Sequence, residues 1–122
     1  MRKILVIEDE PVSRALIAKT LNEAGYQTVE SESARKGWEC LFVERDFDAV
    51  ITDFQMPDLD GRELVLLLRG HRDFTEMPVL LISGVVDELG LGAVMQLPGV
   101  AFAKKPVAPQ TLLKHLAELI KK

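Results

Sequence analysis

The chain is 122 residues long, 48% hydrophobic and 28% charged, with a formal net charge of −4. That length suits one domain around a single sizeable core, and that balance suits a soluble globular chain, not a disordered one. The acidic excess argues against nucleic acid as a direct partner, and the lone cysteine, Cys40, excludes an internal disulfide and a cysteine zinc site.

Residues 4–7 are a short apolar, β-branched-rich run that ends in Glu8-Asp9-Glu10, so a first strand delivers carboxylates at its C-terminal end. The chain enters this strand without the long apolar core and cleavage site of a signal peptide. No later run approaches the roughly 20 apolar residues of a membrane span. Together with the single thiol, this predicts a cytoplasmic location and no membrane partner. Pro11 opens a first helix whose stripe is Ile17, Leu21 and Ala24, and Gly25 stops it. A brief second strand covers residues 26–29. Ser33 caps a second helix with Ala34, Trp38 and Leu41 facing inward. The run 47–52 reads as a strand buried on both faces and leads into the punctuated loop Asp53-Phe54-Gln55-Met56-Pro57-Asp58-Leu59-Asp60-Gly61.

A third helix starts near Asp60-Gly61 and carries Leu64, Val65, Leu67 and Leu68. A fourth strand over 78–82 ends at Ser83-Gly84. A fourth helix is expected over 86–96, weakened by Gly90 and Gly92, each of which costs about 1 kcal/mol relative to alanine. The fifth strand spans 100–103 and ends in Lys104-Lys105-Pro106. Pro109 opens a fifth helix with the stripe Leu112, Leu116 and Leu119. Five strands alternating with five helices through short connections predict an α/β fold, a parallel sheet with helices on both faces. Strand order is not readable from periodicity.

In such a sheet all C-terminal strand ends share one edge, where open α/β sheets place their ligands. That edge gathers Glu8 and Asp9, Asp53, Ser83 and Lys105. Three carboxylates converging without an arginine nearby would repel strongly. Such hard oxygen ligands suit Mg2+, which uses few carboxylates and shares a phosphate oxygen. A hydroxyl and an ammonium at the same edge serve the other oxygens of a phosphoryl group. No P-loop, GxGxxG turn or histidine metal pair is present, so the site suits a phosphoryl group and not a nucleotide. Asp53 itself can act as nucleophile and form an aspartyl phosphate.

Taken together, Ile7-Glu8-Asp9-Glu10, Asp53 through Gly61, Ile82-Ser83-Gly84 and Lys105-Pro106 resemble the receiver domain of two-component response regulators, of the chemotaxis-regulator kind, over essentially residues 1–122. The resemblance implies a flavodoxin-like three-layer α/β/α sandwich with strand order 2-1-3-4-5. It implies that Asp53 is the phosphoacceptor, and that Glu8, Asp9, Asp53 and the backbone carbonyl of Gln55 hold Mg2+, with Mn2+ as a substitute. Ser83 then hydrogen-bonds the phosphoryl group, Lys105 contacts it, and Phe102 is the aromatic that changes rotamer on activation. The implied output surface is the fourth helix, fifth strand and fifth helix, which also serves homodimers in this family. Ser83, Gly84, Phe102 and Pro98 depart from the commonest residues of the pattern, which leaves the core chemistry in place and bears on lifetime and partner choice.

Other residues read more plainly. Asp58 and Asp60 are turn and cap residues, Glu10 and Lys104 are solvated, and Met56 packs under the site. Cys40 and Trp38 are packing residues, and neither His71 nor His115 is a phosphohistidine. The leading function is a phosphoacceptor switch in a two-component phosphorelay, loaded by a histidine kinase or a histidine phosphotransfer protein and read by an effector domain or docking protein. It loads and unloads itself without being a conventional enzyme. A Mg2+-dependent aspartyl phosphatase is disfavoured because Gln55 stands where a second acid/base aspartate would be. A phosphorylation-independent adaptor is disfavoured because no site residue is lost. The chain ends just after the fifth helix, so it is expected to be either a stand-alone receiver or the N-terminal module of a longer regulator.

Overall fold

The computed structural model describes residues 2–84, 92 and 94–121. In chain order the elements are β1 (Lys3–Ile7), α1 (Pro11–Glu23), β2 (Gln27–Ser31), α2 (Ala34–Val43), β3 (Ala49–Asp53), α3 (Gly61–Gly70), β4 (Val79–Ser83), β5 (Val100–Lys104) and a C-terminal helix (Pro109–Ile120). The strands form one parallel sheet in the order β2-β1-β3-β4-β5. Four helices are present among the described residues, where five were expected. Most of the expected fourth helix, over 86–96, lies outside them, although Gly92, Val94 and Met95 are helical and Val94 is buried.

Alternation along the strands explains the three layers. Leu5, Ile7, Val50, Val79 and Leu81 face a core made with Ala34, Leu41, Leu64, Val65 and Leu68, from α2 and α3. Ile4, Val6, Ala49, Ile51, Leu80 and Ile82 face the opposite core, made with Ile17 and Leu21 of α1 and Leu112 and Leu116 of the C-terminal helix. The central strands β1, β3 and β4 are therefore apolar on both faces, as a covered parallel sheet requires.

Element ends follow local hydrogen bonds. Glu10 caps α1, accepting from Val12 N–H and Ser13 N–H, with Pro11 in the first turn. Ala24, expected on the buried stripe of α1, is instead its exposed C-cap, and Ala18 takes the inward place. Gly25 follows at φ +97°, the left-handed conformation that stops a helix at little cost to glycine. Because Tyr26 N–H still donates to Leu21, β2 starts one residue later than expected and runs on to Ser31. β3 starts at Ala49 and not at 47, because the Asp48 side chain and backbone both bond to the Lys3 backbone. In α3 the expected Leu67 is 42% exposed, while Leu64, Val65 and Leu68 are buried. Trp38 is half-buried on α2, where Gly37 faces the sheet.

The start of α3 sets how tightly the loop after β3 closes. Asp60 and Glu63 form a reciprocal capping box, and Gly61 N–H donates to the Phe54 carbonyl at 2.7 Å. A Cβ at Gly61 would lie 2.9 Å from both Phe54 Cα and Leu81 Cδ2, whereas one at Gly70 would meet nothing within 4 Å. Gly61→Ala is therefore expected to lower the unfolding free energy by about 1–3 kcal/mol through overpacking. Gly70→Ala is expected to raise it by about 0.5–1 kcal/mol, and urea denaturation of both variants beside the wild type checks the contrast.

Candidate functional site

At the end of β1 the chain leaves the sheet with its peptide groups held. Glu8 N–H donates to the Ser31 carbonyl at 3.1 Å, and the Glu8 carbonyl accepts from Arg14 Nη1 at 2.8 Å. The Glu8 side chain is buried and the adjacent Asp9 is exposed. Register then aligns the other strand ends with them. Thr52 pairs with Ile7, Asp53 pairs with Ile82, and Ser83 pairs with Lys104. Lys105 N–H donates to the Ser83 carbonyl at 2.9 Å, and the Lys105–Pro106 peptide is cis.

Carboxylate oxygens of Glu8, Asp9 and Asp53 lie within 4.8 Å of one another, the one such acidic trio among the described residues. Lys105 Nζ donates to Glu8 Oε1 and, at 2.7 Å, to Asp53 Oδ2. The other Asp53 oxygen accepts the Gln55 N–H at 3.0 Å, and the buried Thr52 hydroxyl donates to the Asp53 carbonyl at 3.1 Å. Burial, helped by the nearby Asp53 charge, pushes the Glu8 carboxyl above its ordinary range, against the pull of Lys105. Burial acts to lower the Lys105 ammonium, but its hydrogen bonds to Asp53 and Glu8 outweigh that and hold it above the ordinary lysine value. Three close oxygen donors, one of them exposed, fit a hard divalent cation.

A profile of the response regulator receiver domain matches residues 4–117. The chain belongs to that family. It is 31% identical over 115 residues to the chemotaxis protein CheY1 of Helicobacter pylori, covering 93% of each chain. It is 28% identical to the transcriptional regulatory protein GltR of Pseudomonas aeruginosa, where it covers 99% of this chain and 50% of that protein. The solved chemotaxis protein CheY4 of Vibrio cholerae superposes with a TM-score of 0.88 at 27% identity, covering 98% of both chains. The receiver fold is thus flavodoxin-like, with the 2-1-3-4-5 order the resemblance implied.

The structure brings Glu8, Asp9, Asp53, Ser83 and Lys105 to one edge. Ser83 is buried, and Gln55 is exposed with its N–H turned to Asp53. Phe102 sits further back on β5, paired with Leu81 and half-buried against the α2–α3 core. Asp58 does more than turn the loop. It accepts the Arg35 N–H at 3.0 Å, tying the loop after β3 to the start of α2. Burial tends to raise its carboxyl, but backbone donors led by Arg35 prevail and hold it low. Met56 is buried in the core that α2 and α3 make with the sheet, a packing residue as expected. His71 closes α3 and sits half-buried against Trp38, Phe42 and Phe74, edge-on to the first two rings and tilted to the third, and Trp38 is a packing residue as expected. Cys40 is only half-buried and donates to Glu44 at 3.7 Å.

Two expectations need correction. Glu10 is exposed, but it is the N-cap of α1 and not merely solvated. An arginine does lie close to the acidic edge: Arg14 bonds to the Glu8 carbonyl and pairs with Glu30 at 3.4 Å. Its sequence signal was slight, an arginine in the second turn of the helix that follows the acidic turn.

Replacing Lys105 with methionine leaves two close carboxylates without their cation. Lys105→Met is expected to cost about 1–3 kcal/mol in metal-free buffer near pH 8, discounted for partial exposure. The stability lent by the ammonium persists through neutral pH, because a raised lysine value is lost only in strong alkali. On the acid side the difference between variant and wild type fades as Glu8 takes up a proton, starting above the ordinary carboxylate range because Glu8 titrates high. Urea denaturation of both proteins from pH 4 to 8 reads the narrowing gap.

Proposed function

We propose that this receiver domain accepts a phosphoryl group on Asp53 from the phosphohistidine of a histidine kinase or histidine phosphotransfer protein, in a Mg2+-dependent reaction. The observation that carries the reading is the Asp53 carboxylate held between the Lys105 ammonium and the Gln55 N–H, within the acidic trio. Glu8, Asp9, Asp53 and the Gln55 carbonyl would hold the ion, which when bound neutralises carboxylate charge and polarises phosphoryl oxygens. Mn2+, equally an oxygen-seeking ion, would substitute.

In the transfer, an Asp53 oxygen forms the new O–P bond as the N–P bond of the donor breaks, and the departing imidazole takes up a proton. Lys105 follows the added negative charge, because phosphorylation exchanges about one charge for two and adds acceptor oxygens. The Ser83 hydroxyl, at the neighbouring strand end, hydrogen-bonds one of those oxygens. Movement of the loop after β5 shifts the space around Phe102 and biases the surface that includes β5 and the C-terminal helix, the expected fourth helix over 86–96 lying mostly outside the described residues. An effector domain or docking protein reads that surface, which is also the face through which two copies would pair. The chain is on this reading a self-loading and self-unloading switch, not a conventional enzyme, and it works in the cytoplasm. No helix among the described residues is long and apolar enough to cross a membrane.

Incubation with acetyl phosphate and Mg2+, followed by intact mass measurement, is expected to show a gain of one phosphoryl group. The gain disappears in Asp53→Asn and falls sharply when Mg2+ is chelated. A gain that persists in Asp53→Asn would place the acceptor elsewhere and sink the assignment.

A further inference from the structure

We propose, resting on the Mg2+-dependent reading above, that Arg14 is a positioning residue for the cation site, acting on the peptide that joins Glu8 to Asp9. The Arg14 side chain is only 20% exposed, and its fork serves two acceptors on different elements. Nη1 donates to the Glu8 carbonyl at 2.8 Å, while Nε faces Glu30 Oε1 of β2 at 3.4 Å. On its other side Glu8 is held by β2 as well, its N–H donating to the Ser31 carbonyl at 3.1 Å. Both backbone polar groups of Glu8 are therefore tied, one directly to β2 and one through a guanidinium that β2 anchors.

The Glu8 carbonyl belongs to the peptide between two consecutive members of the acidic trio. Rotation of that peptide redirects both side chains at once, so fixing it fixes the spacing of their oxygens. Mg2+ demands near-ideal placement of its ligands, and groups that orient ligands without touching the ion typically contribute 10–100-fold in affinity. Lysine would supply charge to one acceptor but lacks the planar fork that spans both. Glu30 has the matching role of holding the fork in place from β2.

Calorimetric titration with Mg2+ alone, in phosphate-free buffer, tests the assignment on the wild-type chain, Arg14→Ala, Arg14→Lys, Glu30→Gln and Asp9→Asn. Arg14→Ala is expected to weaken binding about tenfold, with Arg14→Lys between it and wild type and Glu30→Gln losing less. In metal-free buffer, amide hydrogen exchange at Asp9 quickens in Arg14→Ala. Urea curves under the same conditions confirm that each variant is folded, and a variant that is merely less stable but still folded binds the ion as the wild type does. Should Arg14→Ala fail to fold, Glu30→Gln, which keeps the arginine, carries the comparison. Wild-type affinity in the folded Arg14 and Glu30 variants, with binding abolished in Asp9→Asn, overturns the role of Arg14 and leaves the metal reading standing. Absence of binding by the wild type, or binding indifferent to Asp9→Asn, overturns both.

Discussion

Carboxylate oxygens from Glu8, Asp9 and Asp53 within 4.8 Å of one another set an electrostatic problem that the surrounding loops are arranged to solve. Two like charges 4 Å apart repel by about 1 kcal/mol in water, but by about 4 kcal/mol at the effective dielectric of a protein edge. Burial adds to the difficulty for Glu8, whose carboxyl is pushed upward. The Lys105 ammonium relieves the repulsion by bonding to Glu8 and Asp53 together. That contact joins the end of the first strand to the loop after the last, 97 residues away in sequence. A charge requirement local to one edge thereby becomes a tie across the sheet.

The tie has its effect because the sheet leaves the strand ends little freedom. β1, β3 and β4 each place apolar side chains into cores on both faces, and a one-residue slip would exchange the faces of every side chain. A fully buried leucine or isoleucine is worth about 1.5–3 kcal/mol, so a slipped strand would forfeit far more than a loop gains by relaxing. Register therefore decides where Asp53, Ser83 and Lys104 emerge, and the hydrogen bonds from Gly61 to Phe54 and from Lys105 to Ser83 close the loops around them.

Much of this was legible because the signals are local. Apolar runs ending in Glu8, Asp53, Ser83 and Lys105 announce strands whose C-terminal ends carry polar chemistry, and Pro11, Ser33 and Asp60 mark helix starts that the caps confirm. Periodicity was less reliable for outward positions. Leu67 looks like a core residue by type, yet its side chain is exposed because α3 has only one face against the sheet. Strand ends shifted where a side chain imitates backbone pairing, as Asp48 does with Lys3. Least legible were contacts between elements distant in sequence. Nothing near Asp58 indicates that it will accept the Arg35 N–H in the first turn of α2, and nothing near Arg14 shows that Glu30 will face it from β2.

Arg14 and Lys105 divide the work of two cations around one acidic turn. The guanidinium is bound to backbone and to a carboxylate outside the trio, so its contacts do not depend on the charge state of Asp53. The ammonium is bound to carboxylates alone, on a flexible stem. Adding charge and acceptor oxygens at Asp53 strengthens the pull on Lys105 in one direction and leaves the hold of Arg14 on the Glu8 peptide unchanged. Under the proposed function, such a phosphoacceptor would move its lysine and the loop after β5 while the Glu8–Asp9 turn stays in place. On that reading, the part that would keep its geometry to bind a cation and the part that would move to signal are anchored to different atoms.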